Sequence, residues 1–240
     1  MERRGNSQGP LNHNGRANRG DKRLLQGPQK GWEDILRAFQ IGMEFYRGFR
    51  KLRHLGDCVT VFGSARFEES HPYYQQAREV GRLLGGAGFS VMTGGGPGVM
   101  EATNRGAKEV GGYSVGCNIK LPKEQRPNAH LDLWTEFEHF YVRKVMLVKY
   151  SKAFVVLPGG FGTFDEVFET LTLIQTGMIS RFPIVAIGSE YWQNLMDMVS
   201  DTMVDTGTID KADMESVYVT DSPREAVDII LSYVDRRAES

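Results

Sequence analysis

From residue 58 onward, short apolar runs alternate with stretches whose apolar residues recur every three or four positions. The runs CVTVF (58–62), FSVMT (89–93), YSVGCNI (113–119), AFVVL (153–157) and PIVAI (183–187) predict strands. Segments 72–86, 98–110, 138–151, 163–176, 190–203 and 223–236 predict helices. The strand runs are continuously apolar, as expected where both faces of a parallel sheet are covered. This alternation predicts an α/β domain over 56–240, a doubly wound parallel sheet with helices on both faces. SVY at 216–218 is a candidate edge strand, and 120–136, broken by Pro122 and Pro127, is expected to be an irregular loop.

Upstream the pattern changes. Ile35, Leu36, Phe39, Met43, Tyr46, Phe49 and Leu52 share helical spacing, which predicts an N-terminal amphipathic helix over 31–55, packed on the domain or on a partner subunit. Residues 1–30 are rich in Gly, Asn, Arg and Gln, carry a net +5, and are expected to be a disordered basic tail. No aromatic residue interleaves those bases and the whole chain carries only -1, so nucleic acid is not favoured as a partner. No apolar run approaches the roughly 20 residues of a membrane span, and no apolar leader opens the chain. Cys58 and Cys117 stand alone in apolar runs without metal-ligand spacing, so both are expected to be buried thiols in a reducing, cytoplasmic setting, with no metal site.

Three glycine-containing segments follow strands: FGSAR (62–66), TGGGPGVMEA (93–102) and PGGFGTFDE (158–166). In open α/β sheets ligands bind beyond the carboxyl ends of the strands, so all three converge on one sheet edge. Gly94, Gly95, Gly96 and Gly98 before one helix, and Gly159, Gly160 and Gly162 before another, permit close approach of backbone amides to an anion. Thr163 adds a hydroxyl. Neither cluster has the spacing of the dinucleotide fingerprint or of a Walker A loop, and a single phosphate fits such short loops better. Glycine-rich turns also serve purely as turns, and it is the convergence of the clusters that favours a ligand.

Acids stand beside these cradles. Glu166 follows Thr163 at capping-box spacing, and Asp165 and Glu101 fall in first helical turns, where the dipole alone favours a carboxylate. A carboxylate beside a phosphate seat needs a cation, and FYVRKVMLVKYSK offers Arg143, Lys144, Lys149 and Lys152. Helical spacing sets Phe140, Val145 or Met146, and Val148 inward, which leaves Arg143 and Lys144 at the rim, where Arg143 can reach a phosphate or Glu166.

Together, GGGPGVMEA, VRK and PGGFGTFDE resemble the LONELY GUY family, once called lysine decarboxylase-like, over residues 57–235, and VFGSAR is similar to its bacterial branch. The resemblance implies a Rossmann-like fold, a homodimer or larger homo-oligomer, and hydrolysis of the N-glycosidic bond of cytokinin riboside 5'-monophosphates or AMP to free base and ribose 5-phosphate, without a cofactor. It places the catalytic pair on Arg143 and Glu166. Substrate contacts fall on Ser64, Gly95, Gly96, Gly98, Glu101, Lys144, Gly159, Gly160, Gly162, Thr163 and Asp165. Many members have Glu-Glu where this chain has Asp165-Glu166. The walls that select the base are expected in the 120–136 loop and the N-terminal helix. A pyridoxal enzyme would need a Schiff-base lysine that nothing singles out; a non-catalytic nucleotide or cofactor carrier on the same fold is the remaining alternative.

Overall fold

The computed structural model describes residues 21, 24–25, 27, 31–121 and 126–238. Most of the basic tail expected to be disordered lies outside the described residues, as does part of the 120–136 segment. After helix α1 (Gly31–Leu52) the chain alternates β1 (Cys58–Phe62), α2 (Pro72–Gly86), β2 (Ser90–Thr93), α3 (Val99–Glu109) and β3 (Ser114–Ile119). It continues through β4 (Leu133–Phe137), α4 (Phe140–Lys149), β5 (Ser151–Val156), α5 (Phe161–Gln175), β6 (Ile184–Ile187), α6 (Ser189–Asp197), β7 (Val217–Thr220) and α7 (Pro223–Ala238).

The seven strands form one sheet in the order β4-β3-β2-β1-β5-β6-β7, and every pairing is parallel. This is a doubly wound, Rossmann-like α/β fold. Alternate residues of one strand serve the two layers. Val59 and Val61 of β1 point into a core with Ala77, Val80 and Leu84 of α2 and Ile230 of α7. Cys58 and Phe62 point the other way, into a core with Met146 of α4, Val167 of α5 and Leu52 of α1. Each fully buried aliphatic or aromatic side chain there contributes about 2 kcal/mol from burial. The strand order reverses at β1, which lies between β2 and β5, and a crevice opens beyond the ends of β1 and β5.

Four sequence expectations need correction. First, the 120–136 segment contains a strand: β4 pairs with β3 from Leu133 to Phe137. As an edge strand it buries only alternate residues, Thr135 and Phe137, and its exposed Glu136 reads locally as loop. Second, of the α1 stripe expected to pack on the domain or on a partner subunit, Leu52 is buried in the domain, but most of the rest does not face it: Ile35 and Phe39 are 73% and 68% exposed. The inward face is Ile41, Phe45, Gly48 and Leu52. A glycine at the closest crossing is invisible to a hydrophobicity pattern. Third, α4 turns Met146 and Val148 inward as expected, but it also buries Val142 and Leu147 and leaves Phe140 and Val145 exposed. Fourth, α6 ends at Asp197 and the chain continues as a π-helical turn over Met198–Val204. The candidate edge strand at 216–218 is present as β7.

Candidate active site

The loops after β1 and β5 are tied together: Ser64 N–H donates to Pro158 O at 3.0 Å and Leu157 N–H to Phe62 O at 2.9 Å. Between them lies a cleft of about 690 Å³, lined among others by Ser64, Arg66, Arg143, Gly160, Thr163, Glu166 and Tyr191. That size suits a small ligand at a topological switch point.

The second glycine cluster forms the floor. Gly160 caps α5 without any side-chain hydrogen bond. A Cβ on Gly159 would stand 2.1 Å from Thr163 Oγ1, whereas Gly160 and Gly162 have nothing within 4 Å of theirs. Gly159 is therefore needed for packing, and Gly160 and Gly162 border open space at a helix N-terminus, where free amides and the dipole favour an anion. Thr163 is buried in the first turn of α5, which starts two residues earlier than the sequence pattern suggested.

The first cluster is occupied with the fold. Gly98 has φ 69°, and a Cβ there would lie 2.4 Å from Ser64 O. The first amide of α3, Val99 N–H, donates to that same carbonyl. Gly95 O and Gly96 O accept hydrogen bonds from Asn128. Gly94 lines the cleft; Gly95, Gly96, Gly98 and Glu101 are not among its lining residues.

Arg143 and Glu166 face each other in the cleft. Arg143 Nη1 lies 3.1 Å from Glu166 Oε1, and its Nε donates to Cys117 O at 2.9 Å. Glu166 is 3% exposed. The capping-box role open to it in the sequence does not arise, because α5 has no side-chain cap. Burial raises its carboxyl to about 7, against the pull of Arg143 and Lys144. Lys144 and Asp165 sit beside the cleft and not in its lining, joined at 2.8 Å, and Lys144 also pairs with Glu169. Burial pulls the Lys144 ammonium down, but its two carboxylate partners outweigh that and leave it above its usual range. A Schiff-base lysine requires the opposite shift.

Several lining residues escaped the sequence reading. Phe161 is 96% exposed at the mouth, Phe164 and Tyr191 form a wall at 6.4 Å between ring centres, and Tyr191 Oη donates to Gly159 O. Arg66 was visible in FGSAR, and the aromatics were visible within GFGTF. Tyr191 comes from a distant helix and left no local signal. Neither α1 nor the described part of 120–136 lines this cleft.

The family described as possible lysine decarboxylase matches residues 100–230. A cytokinin riboside 5'-monophosphate phosphoribohydrolase of Mycobacterium tuberculosis is 31% identical over 186 residues, covering 74% of this chain and 95% of that protein. The chain belongs to this family, the LONELY GUY family. Another LONELY GUY relative, a cytokinin riboside 5'-monophosphate phosphoribohydrolase from Arabidopsis thaliana, is 27% identical over 81% of this chain and 88% of its own. The fold is shared more widely. A molybdenum cofactor binding protein from Rippkaea orientalis superposes with a TM-score of 0.56 at 22% identity, over 74% of this chain and 97% of its own. Within the LONELY GUY match lie Glu101, Arg143, Lys144 and the whole PGGFGTFDE segment.

Proposed function

We propose that the protein hydrolyses the N-glycosidic bond of nucleoside 5'-monophosphates, cytokinin riboside monophosphates or AMP, releasing free base and ribose 5-phosphate. The observation that carries this reading is the buried Glu166 carboxyl, raised to about 7 and paired with Arg143, at the rim of a cleft floored by a helix N-terminus. The phosphate docks on the amides around Gly160 and Gly162, with Arg66 at the cleft wall as its counter-charge. Anchoring the phosphate places the ribose against Glu166, so binding energy remote from the scissile bond positions the reacting carbon.

Cleavage of a ribosyl C–N bond passes through an oxocarbenium-like state. The ionised Glu166 stabilises that charge and accepts a proton from the attacking water. The water oxygen bonds to the anomeric carbon, the C–N electron pair leaves with the base, and the base takes up a proton. Arg143 keeps an ionised population of Glu166 within reach of neutral pH despite burial. The names of the curated relatives support the same chemistry.

Incubation with a panel of nucleoside monophosphates, followed by chromatography for free base and ribose 5-phosphate, tests the proposal. Base should be released from AMP or its N6-substituted analogues, and at least 100-fold more slowly from adenosine. Equal rates on AMP and adenosine overturn the phosphate seat. Tight nucleotide binding without base release would instead favour a carrier on the same fold.

A further inference from the structure

We propose that Glu44, on the N-terminal helix α1, is a positioning residue for the site: it clamps the start of α4 and thereby holds Arg143 against Glu166. This rests on the reading that the Arg143–Glu166 pair is the functional pair. Helix starts leave backbone N–H groups without internal partners. The N-cap of α4, His139, supplies no side-chain hydrogen bond to them. The partners come from the N-terminal extension, Glu44 on α1 foremost. Glu44 Oε1 accepts from Glu138 N–H at 2.6 Å and from His139 N–H at 3.3 Å, and Glu44 Oε2 lies 2.5 Å from His139 Nδ1. A second carboxylate, Asp21, accepts from Phe140 N–H at 3.1 Å. Two acids from the extension thus cap a helix some 95 to 119 residues away in sequence, the sign of charge that a helix N-terminus favours.

The clamp is not a loose surface ion pair. Glu44 and His139 side chains are mostly buried. One turn further along α1, a Cβ on Gly48 would lie 2.8 Å from Met146 Cε of α4 and 3.1 Å from Phe137 Cε1. The two helices therefore cross in close contact at a second point, so α4 is held at its start and along its flank. The link to the site is short: Arg143 N–H donates to His139 O at 3.2 Å, and the Arg143 side chain spans to Cys117 O and Glu166. A displacement of His139 moves the guanidinium, and misplacement of reacting groups by about 1 Å can cost about 100-fold in rate.

The test uses the full chain with nitrogen-15-labelled arginine, comparing wild type, Glu44→Ala and Glu44→Gln. The Arg143 Nε–H resonance, assigned by its loss in Arg143→Lys, reports guanidinium placement. Glu44→Ala should shift that resonance and lower kcat on AMP about tenfold, with KM changed less than twofold. Glu44→Gln, which keeps one acceptor oxygen, should be intermediate. An unmoved resonance with wild-type kcat in Glu44→Ala overturns the clamp. Should that variant not fold, an unmoved resonance in Glu44→Gln overturns it equally. If the wild type releases no base from any nucleoside monophosphate, the hydrolase reading fails, and the resonance still decides the clamp.

Discussion

Arg143 Nη1 and Glu166 Oε1 meet at 3.1 Å across the cleft, the arginine on α4 and the glutamate on α5, with β5 and the glycine loop between them in the chain. The guanidinium is anchored at its other end by Cys117 O, so it is a fixed partner and not a swinging side chain. This leaves Glu166 nearly buried and in direct contact with the Arg143 guanidinium, with Lys144 adding a weaker pull, so burial and charge oppose each other at its carboxyl.

Glu166→Gln preserves the size of the side chain and its acceptor oxygen toward Arg143, but removes the base. Release of adenine from AMP should fall at least 1,000-fold, within the range ascribed to acid–base and electrostatic catalysis. AMP affinity measured by calorimetry should change less than threefold. Near wild-type turnover would reassign the catalytic group.

The rate should follow the ionisation of Glu166. With its carboxyl raised to about 7, kcat/KM should climb with pH to a plateau above that value and drop about tenfold per pH unit below it. The substrate phosphate titrates near 6. A midpoint at that lower value, shared by Glu166→Gln, would assign the limb to substrate.

The same shift acts on stability. Between the ordinary value of 4.5 and about 7 the unfolded chain has released the Glu166 proton and the folded protein retains it. The unfolded state then binds fewer protons, so this group's contribution to stability falls as pH rises through the window, by on the order of 3 kcal/mol in full. Glu166→Gln does not titrate. Its melting temperature relative to wild type should therefore rise by several degrees between pH 5 and pH 8. A constant difference would mean that Glu166 stays ionised throughout.

The glycines of the loop should separate by role. Gly159→Ala drives a Cβ to 2.1 Å from Thr163 Oγ1, an overpacking that costs on the order of 1–3 kcal/mol and should appear as a lower melting temperature. Gly162→Ala meets nothing within 4 Å and lies in a helix, where Ala is preferred by up to about 1 kcal/mol. It should fold at least as well as wild type while raising KM for AMP several-fold by narrowing the phosphate seat. Unchanged KM would move the phosphate away from this helix start.

Much of the fold was legible because β1, β2, β3, β5 and β6 are continuously apolar and the helices between them are periodic. The edge strand β4 was hidden because only Thr135 and Phe137 are buried, with Leu133 partly buried and Trp134 and Glu136 exposed between them. The face by which α1 meets the domain was not legible because its closest contact is Gly48, which no hydrophobicity pattern marks. In the site, the loop PGGFGTFDE and the Arg143–Lys144 pair could be read from local sequence. Their division of labour could not: Arg143 turns to Glu166, while its neighbour Lys144 turns to Asp165 and Glu169 outside the cleft.

The sequence by itself determined the alternation of strands and helices, the glycine-rich turns at the strand ends and the residue types available there, because these depend on periodicity and backbone freedom within a few residues. Only the tertiary structure decided which turn opens on empty space, how deeply Glu166 is buried, and that Glu44 reaches the start of α4. Those properties arise from groups far apart in the chain, and burial and electrostatic pairing depend on distance through space, which local pattern does not encode.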